Sequence, residues 1–107
     1  MVRVDLSPLA KADIRKVIRN TRRRWGQGKV LEYRDLIEEA RQQLSEDPRA
    51  GRPCPGVDPQ AFFYPISQPG RRARHVFLYR LIEDGEAIEL VRFIYDSSDL
   101  ARHWPKK

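Results

Sequence analysis

The chain has 107 residues, 40% hydrophobic and 9% aromatic, which suits one domain with a modest core and excludes a disordered tail. Charged residues make up 34% and the net charge is +6, pointing to an acidic partner: nucleic acid, an acidic protein or an anionic surface. Cys54 is the only cysteine, so an internal disulfide is excluded, and no apolar run approaches a membrane span.

Val2 to Leu6 reads as a short apolar strand. Ser7 is a good helix N-cap and Pro8 suits the first helical position, where no N–H is needed. Ala10, Ile14, Val17, Ile18, Thr21 and Trp25 then recur at helical spacing, while Lys11, Arg15, Lys16, Arg19, Arg22 and Arg23 point largely away from that face. Gly26 and Gly28 end this helix and allow a tight reversal. A second helix is expected from Lys29 to Leu44, with Val30, Tyr33, Ile37, Ala40 and Leu44 as its buried stripe and Leu36 beside it. The short connection makes the two helices antiparallel neighbours.

Asp47 to Gln60 is a Pro/Gly loop. Strands are expected at Ala61 to Ile66, Arg74 to Ile82 and Ala87 to Tyr95, with a polar basic loop from Ser67 to Arg72 and a hairpin at Asp84-Gly85. Asp96 to Trp104 carries a capping pattern and closes as a short helix. Residues 1–34 hold 10 Lys/Arg against 3 Asp/Glu, so the basic surplus lies at the first strand and helix. The opening residues lack a secretory-leader pattern, which predicts a cytoplasmic protein with no membrane association.

The two central strands are apolar on both faces. Val76, Leu78 and Ile82 oppose Phe77, Tyr79 and Leu81; strict alternation sets Ile88, Leu90 and Ile94 against Val91, Phe93 and Tyr95. Two helices cover one face. The other requires either a partner chain or a sheet that curls around its own aromatics.

Enzyme signatures are scarce. The chain has no phosphate loop, no dinucleotide-binding turn and no metal-spaced Cys/His set, so neither cofactor nor metal is expected. Cys54 lies in a rigid turn with no base nearby in sequence and reads as incidental. His75, set among Arg71, Arg72, Arg74 and Arg80, reads as a solvated strand-edge residue whose charged form those arginines disfavour. Arg80 and Arg92 sit mid-strand and have two readings. With Tyr95 they suit a metal-free ribonuclease, as cations at the phosphate; alternatively they pair with Glu83, Glu89 or Asp96 across the sheet. Arg22-Arg23-Arg24 is either a phosphate contact or a solvated helix end, and no aromatic residue interleaves with it to stack on bases. Arg102-His103-Trp104 near the chain end is either a contact anchor or a tryptophan folded back on the open sheet face.

Taken together, several of these residues resemble the ParE branch of the RelE/ParE toxin superfamily of type II toxin–antitoxin modules. The resemblance runs through Leu6-Ser7-Pro8-Leu9-Ala10-Lys11-Ala12-Asp13-Ile14, Thr21, Trp25-Gly26, Tyr33, Leu36, Pro48, Gly51 and Leu78-Tyr79-Arg80. It ends at Val91-Arg92-Phe93-Ile94-Tyr95 and Asp99-Leu100. It implies an α+β fold over residues 1–107: an N-terminal strand, then an antiparallel two-helix hairpin packed on an antiparallel three- to four-stranded sheet, then a short C-terminal helix. It also implies a hetero-oligomer with a ParD-like antitoxin, with operator DNA reached only through that antitoxin. Arg15, Arg19, Arg22, Trp25, Phe77, Tyr79 and Phe93 are the expected antitoxin contacts, and Arg102, His103 and Trp104 the expected target contacts. ParE-like toxins are associated with poisoning of DNA gyrase, whereas RelE-like relatives are ribosome-dependent mRNA endoribonucleases. Where many relatives carry a histidine, a glycine and paired arginines, this chain reads Tyr95-Asp96-Ser97-Ser98 before Asp99-Leu100, which places gyrase inhibition ahead of RNA cleavage. The loop from Gln68 to Arg74 is longer than in most relatives.

Overall fold

Two helices lie across one face of a five-stranded sheet in the computed structural model, which describes residues 1–105. The chain runs β1 (Arg3–Leu6), α1 (Pro8–Trp25), α2 (Gln27–Glu46), β2 (Arg52–Pro53), β3 (Ala61–Pro65), β4 (His75–Ile82), β5 (Ala87–Tyr95) and α3 (Leu100–His103). The Ser7 hydroxyl oxygen accepts the Ala10 N–H at 3.0 Å, as an N-cap should, and the same hydroxyl donates to the Val91 carbonyl at 2.7 Å. The cap therefore also fixes where α1 starts relative to β5. Gly26, at φ 84°, is both the last cap of α1 and the first of α2. A left-handed glycine reverses the chain in one residue, so α2 begins at Gln27 rather than at Lys29, and Gly28 lies inside it. The buried stripe of α2 is Val30, Tyr33, Leu36, Ile37, Ala40 and Leu44, the face its periodicity predicts.

The strand order is β1-β5-β4-β3-β2. β1 runs parallel to β5, and the other neighbours are antiparallel. The expected antiparallel sheet thus has four strands, β5-β4-β3-β2, and the N-terminal strand joins it as a fifth, in parallel. β2 is two residues of the Pro/Gly loop, and Pro53 is tolerated there because the strand is an edge. Between β4 and β5 the register passes from Leu78 opposite Arg92 to Tyr79 opposite Leu90, so Val91 is an extra, bulged residue. The bulge reverses the alternation of β5. Ile88 and Leu90 share the helix-facing core with Phe93, not with Ile94, while Val91 and Ile94 both face the other way.

Phe77, Tyr79, Ile88, Leu90 and Phe93 pack under the helices against Val30, Leu36 and Leu44. On the opposite face Val76, Leu78, Val91 and Ile94 are covered by Cys54 and Val57 from the loop and by Leu100 and Trp104 from the C-terminal segment. The second face is therefore closed by the chain itself. Of the two readings of Trp104, the structure shows the folded-back one, with the residue 8% exposed.

Tyr79 clamps the turn after α2. Its hydroxyl donates to the Pro48 carbonyl at 3.0 Å, and its oxygen accepts the Gly51 N–H at 2.9 Å. Burial pushes the phenol up to about 12, so it remains a donor at any physiological pH. A Cβ on Gly51 would lie 2.5 Å from that oxygen and 2.6 Å from the Phe63 carbonyl. Gly51→Ala is accordingly expected to lower stability by about 2 kcal/mol, the range for overpacking a closed site. Urea denaturation should show a lower midpoint with an unchanged slope.

Candidate binding surfaces flanking the first helix

β1 ends at Leu6 opposite Leu90, which leaves the second half of β5 with no strand on the side away from β4. The Asp96 N–H donates to the Arg74 carbonyl at 2.8 Å; this sets the ladder so that the backbone groups of Phe93 and Tyr95 turn away from β4, toward α1. Asp13 meets them. Its Oδ2 accepts the Phe93 N–H at 3.0 Å and the Arg92 Nε–H at 2.7 Å, and its Oδ1 accepts from Arg92 Nη2 at 2.9 Å. The pair is largely shielded, with side-chain exposures of 20% and 16%, and the Asp13 hydrogen bonds raise the Arg92 pKa further.

Arg80 takes the cross-strand alternative, with Nη2 2.7 Å from Glu89 Oε1, directly opposite it in register. Neither arginine is a free cation. Arg80 stands five residues along β4 from His75, which faces Tyr95, so about 17 Å separates the two positions at strand rise. The structure brings Arg92 near Tyr95 and leaves Arg80 apart.

His75 is not a solvated edge residue: it is 5% exposed. Its Nδ1 lies 3.0 Å from the Tyr33 hydroxyl. That oxygen also accepts the Arg74 N–H at 3.4 Å. The ring stacks on Phe93 at 5.0 Å and on Tyr95 at 4.4 Å. Its pKa is lowered to about 4 by burial, with Asp96 opposing, and not by the neighbouring arginines.

Two basic surfaces flank α1. Arg15, Arg19 and Arg22, with Arg34 and Arg41 from α2, rim a groove of about 500 Å³ floored by Leu6, Ile14, Ile18 and Ile37. On the other side, Lys16, Asn20, Arg23 and Arg24 face the β5 edge across a cleft of about 510 Å³ that also takes in Trp25, Tyr95 and His103. The 3.6-residue period separates the sets: positions 15, 18, 19 and 22 lie opposite 13, 17, 20 and 24. Trp25, an expected antitoxin contact at the C-terminal end of α1, lines the cleft and not the groove. Phe77, Tyr79 and Phe93, also expected as antitoxin contacts, are no more than 1% exposed and belong to the chain's own core. At the C-terminal end Arg102 is exposed, His103 half-buried and Trp104 buried. Among the described residues no His/Cys/Asp/Glu group is arranged for a metal, and no helix is long and apolar enough to cross a membrane.

A helical hairpin thus lies over a mixed sheet, with both mid-strand arginines held in ion pairs. Residues 4–100 match the family model described as ParE toxin of type II toxin–antitoxin system, parDE, and the chain belongs to that family. It is similar to Toxin ParE1 of Mycobacterium tuberculosis, in strains CDC 1551 / Oshkosh and H37Rv. Each is 28% identical over 102 residues, covering 92% of this chain and 93% of the relative.

Asp13→Ala leaves Arg92 and the Phe93 N–H without their acceptor, and a loss of about 2–3 kcal/mol is expected, at or below the range for a broken buried pair because some solvent reaches it. Thermal unfolding checks this. His75 makes stability depend on pH. Its folded-state value, about 4, lies below the unfolded value of 6.5, so between these limits the unfolded chain binds more protons. The contribution is complete above about pH 6.5 and is lost as pH falls to about 4, by on the order of 3 kcal/mol. Denaturation midpoints from pH 7 to 4 should show this slope, and His75→Gln should flatten it.

Proposed function

We propose that this chain is a toxin silenced by a ParD-like antitoxin seated in the α1–α2 groove, and that it acts in the cytoplasm by inhibiting DNA gyrase rather than by cutting RNA. Family membership supports the toxin and its antitoxin partner. The observation that carries the choice of mode is the pairing of both mid-strand arginines. Arg92 is held by Asp13 and Arg80 by Glu89, and the strand histidine is buried and neutral. Stabilising a phosphorane-like transition state needs cations aimed at the phosphate and a base at the 2′-hydroxyl. Redirecting Arg92 would cost its ion pair and strip the acceptor from the β5 edge.

The groove suits one occupant, an amphipathic helical segment with an apolar stripe and acidic flanks. Leu6, Ile14, Ile18 and Ile37 receive the stripe, and Arg15, Arg19, Arg22 and Arg34 at the rim match the acids, Arg41 being paired with Glu38, which lines the same groove. The toxin then sits in a hetero-oligomer whose antitoxin makes the operator-DNA contacts. Of the expected target contacts, Arg102 is the exposed one, and Trp104 serves it by packing α3 onto the sheet.

Purified protein should inhibit gyrase supercoiling and accumulate cleaved DNA complexes. Codon-positioned cuts in a translated message, lost in Arg80→Ala and Arg92→Ala, would reverse the assignment. Reversing charge at the groove, as Arg15→Glu with Arg19→Glu, should weaken antitoxin binding at least tenfold, or about 1.4 kcal/mol, in calorimetric titration while thermal unfolding stays near wild type.

A further inference from the structure

The cleft between α1 and the free edge of β5 has no part in the reading above, yet it is equipped for a ligand. Among the described residues Lys16, Arg23 and Arg24 pair with no carboxylate. The one acid on the cleft wall, Asp13, is taken up by Arg92 and the Phe93 N–H. The cleft therefore carries uncompensated positive charge.

It also carries the two most exposed aromatic side chains. Trp25 is 70% exposed and Tyr95 54%, whereas Phe77, Tyr79, Phe93 and Trp104 are all buried. Tyr95 has one ring face fixed on His75 and the other open. Leaving a tryptophan in water forgoes a large share of its burial free energy, commonly about 2–3 kcal/mol for a side chain of this size. Between these walls, the Phe93 carbonyl and the Tyr95 N–H turn toward the cleft from a strand edge with no neighbour, presenting an acceptor and a donor side by side. The volume, about 510 Å³, lies in the range of small-ligand sites.

Cations beside open aromatic faces, with a backbone donor and acceptor between them, fit a nucleoside phosphate. We propose that this cleft binds a nucleotide unit of single-stranded nucleic acid, its base against Trp25 and Tyr95 and its own and neighbouring phosphates drawn to Lys16, Arg23 and Arg24. A duplex does not fit the pattern, because its bases are paired and stacked and do not enter a cleft between a helix and a strand. An acidic peptide satisfies the cations and leaves the aromatic faces unused. Single-stranded binders combine the two features because base stacking tolerates any sequence while the phosphates supply salt-dependent attraction.

The test uses the full chain and labelled eight-nucleotide oligo-dT and oligo-rU, followed by fluorescence anisotropy, with the corresponding mononucleotides as competitors. Neither gyrase nor antitoxin is present, so the result is independent of the target assignment. Three phosphate contacts predict affinity falling about 20-fold between 50 and 200 mM salt, and Arg23→Gln should reduce the log–log slope by about 0.7. Trp25→Ala and Tyr95→Ala should each weaken binding by about 5-fold or more, the low end for losing one stacked base. Both positions are exposed, and circular dichroism confirms that the variants fold. Arg49→Gln, which removes the same charge in the turn after α2, should change affinity less than 2-fold. Preference between the oligomers identifies DNA or RNA as the natural strand, and competition by mononucleotide at similar concentration identifies a free nucleotide; each result supports the cleft. Absence of binding to any of these probes overturns the proposal. So does binding indifferent to both aromatic substitutions, or equal displacement by an oligoglutamate peptide.

Discussion

One carboxylate lets α1 lie where it does. A helix laid along the unpaired half of β5 would bury strand N–H groups against aliphatic side chains, and an unmatched buried donor costs about 1–3 kcal/mol. Asp13 supplies the missing acceptor to Phe93, and Arg92 neutralises Asp13 from the same strand edge. In this set the two charges offset each other and the Phe93 donor has its acceptor. Arg92 extends it by reaching within 3.5 Å of the His103 carbonyl, so α1, β5 and α3 meet at one guanidinium. With α1 pinned at this point, its two flanks become the walls of separate surfaces. The same pairing fixes the Arg92 guanidinium at the contact between helix and sheet.

The bulge at Val91 lets so short a sheet be apolar on both sides. By adding one residue to β5, it turns Phe93 under the helices, against Phe77 at 4.7 Å and beside His75. Val91 and Ile94 then join the opposite layer, where Trp104 and the Cys54–Val57 loop close over them. The stack that results runs Phe93, His75, Tyr95, from core to surface. A buried neutral imidazole is an effective spacer here. It hydrogen-bonds the Tyr33 hydroxyl, carries no charge needing water, and holds the last aromatic ring at the rim of the cleft.

The parts legible in sequence were those set by local periodicity or a local cap. Ser7-Pro8, the α2 stripe, the Ala61 and His75 strands, the turn around Asp84-Gly85 and the short C-terminal helix all depend on residues within a few positions of one another. The bulge left no trace, because a strand apolar on both faces reads the same whichever way its phase shifts. Asp13 and Arg92 both stand in the motifs carrying the family resemblance, but they are 79 residues apart, and cross-strand carboxylates were the nearer candidates. For Arg80 the nearer candidate, Glu89, was the partner; for Arg92 it was not. The burial of His75 was illegible for the same reason: Tyr33, Phe93 and Tyr95 come from three different elements. So was the placing of Trp25 and Tyr95 on one cleft, which supplies the aromatic faces that the arginine run lacks in its own segment.

The charge of the first third of the chain takes on a different meaning once it is divided between the two surfaces that flank α1. Read as a sum, ten Lys/Arg in residues 1–34 suggest a single basic face. Around α1 they separate into Arg15, Arg19 and Arg22 on the groove and Lys16, Arg23 and Arg24 on the cleft. The groove has an aliphatic floor and suits the stripe of an amphipathic helix; the cleft has aromatic walls and suits a planar base. A helix about 10 Å across covers one flank of α1 and leaves the opposite one open to solvent. An antitoxin segment confined to the groove would therefore leave the cleft free, and neutralisation through that segment would have to act on the hairpin or the C-terminal surface. Covering the cleft as well would require a second part of the antitoxin chain to pass around the exposed end of α1 at Trp25 and Gly26.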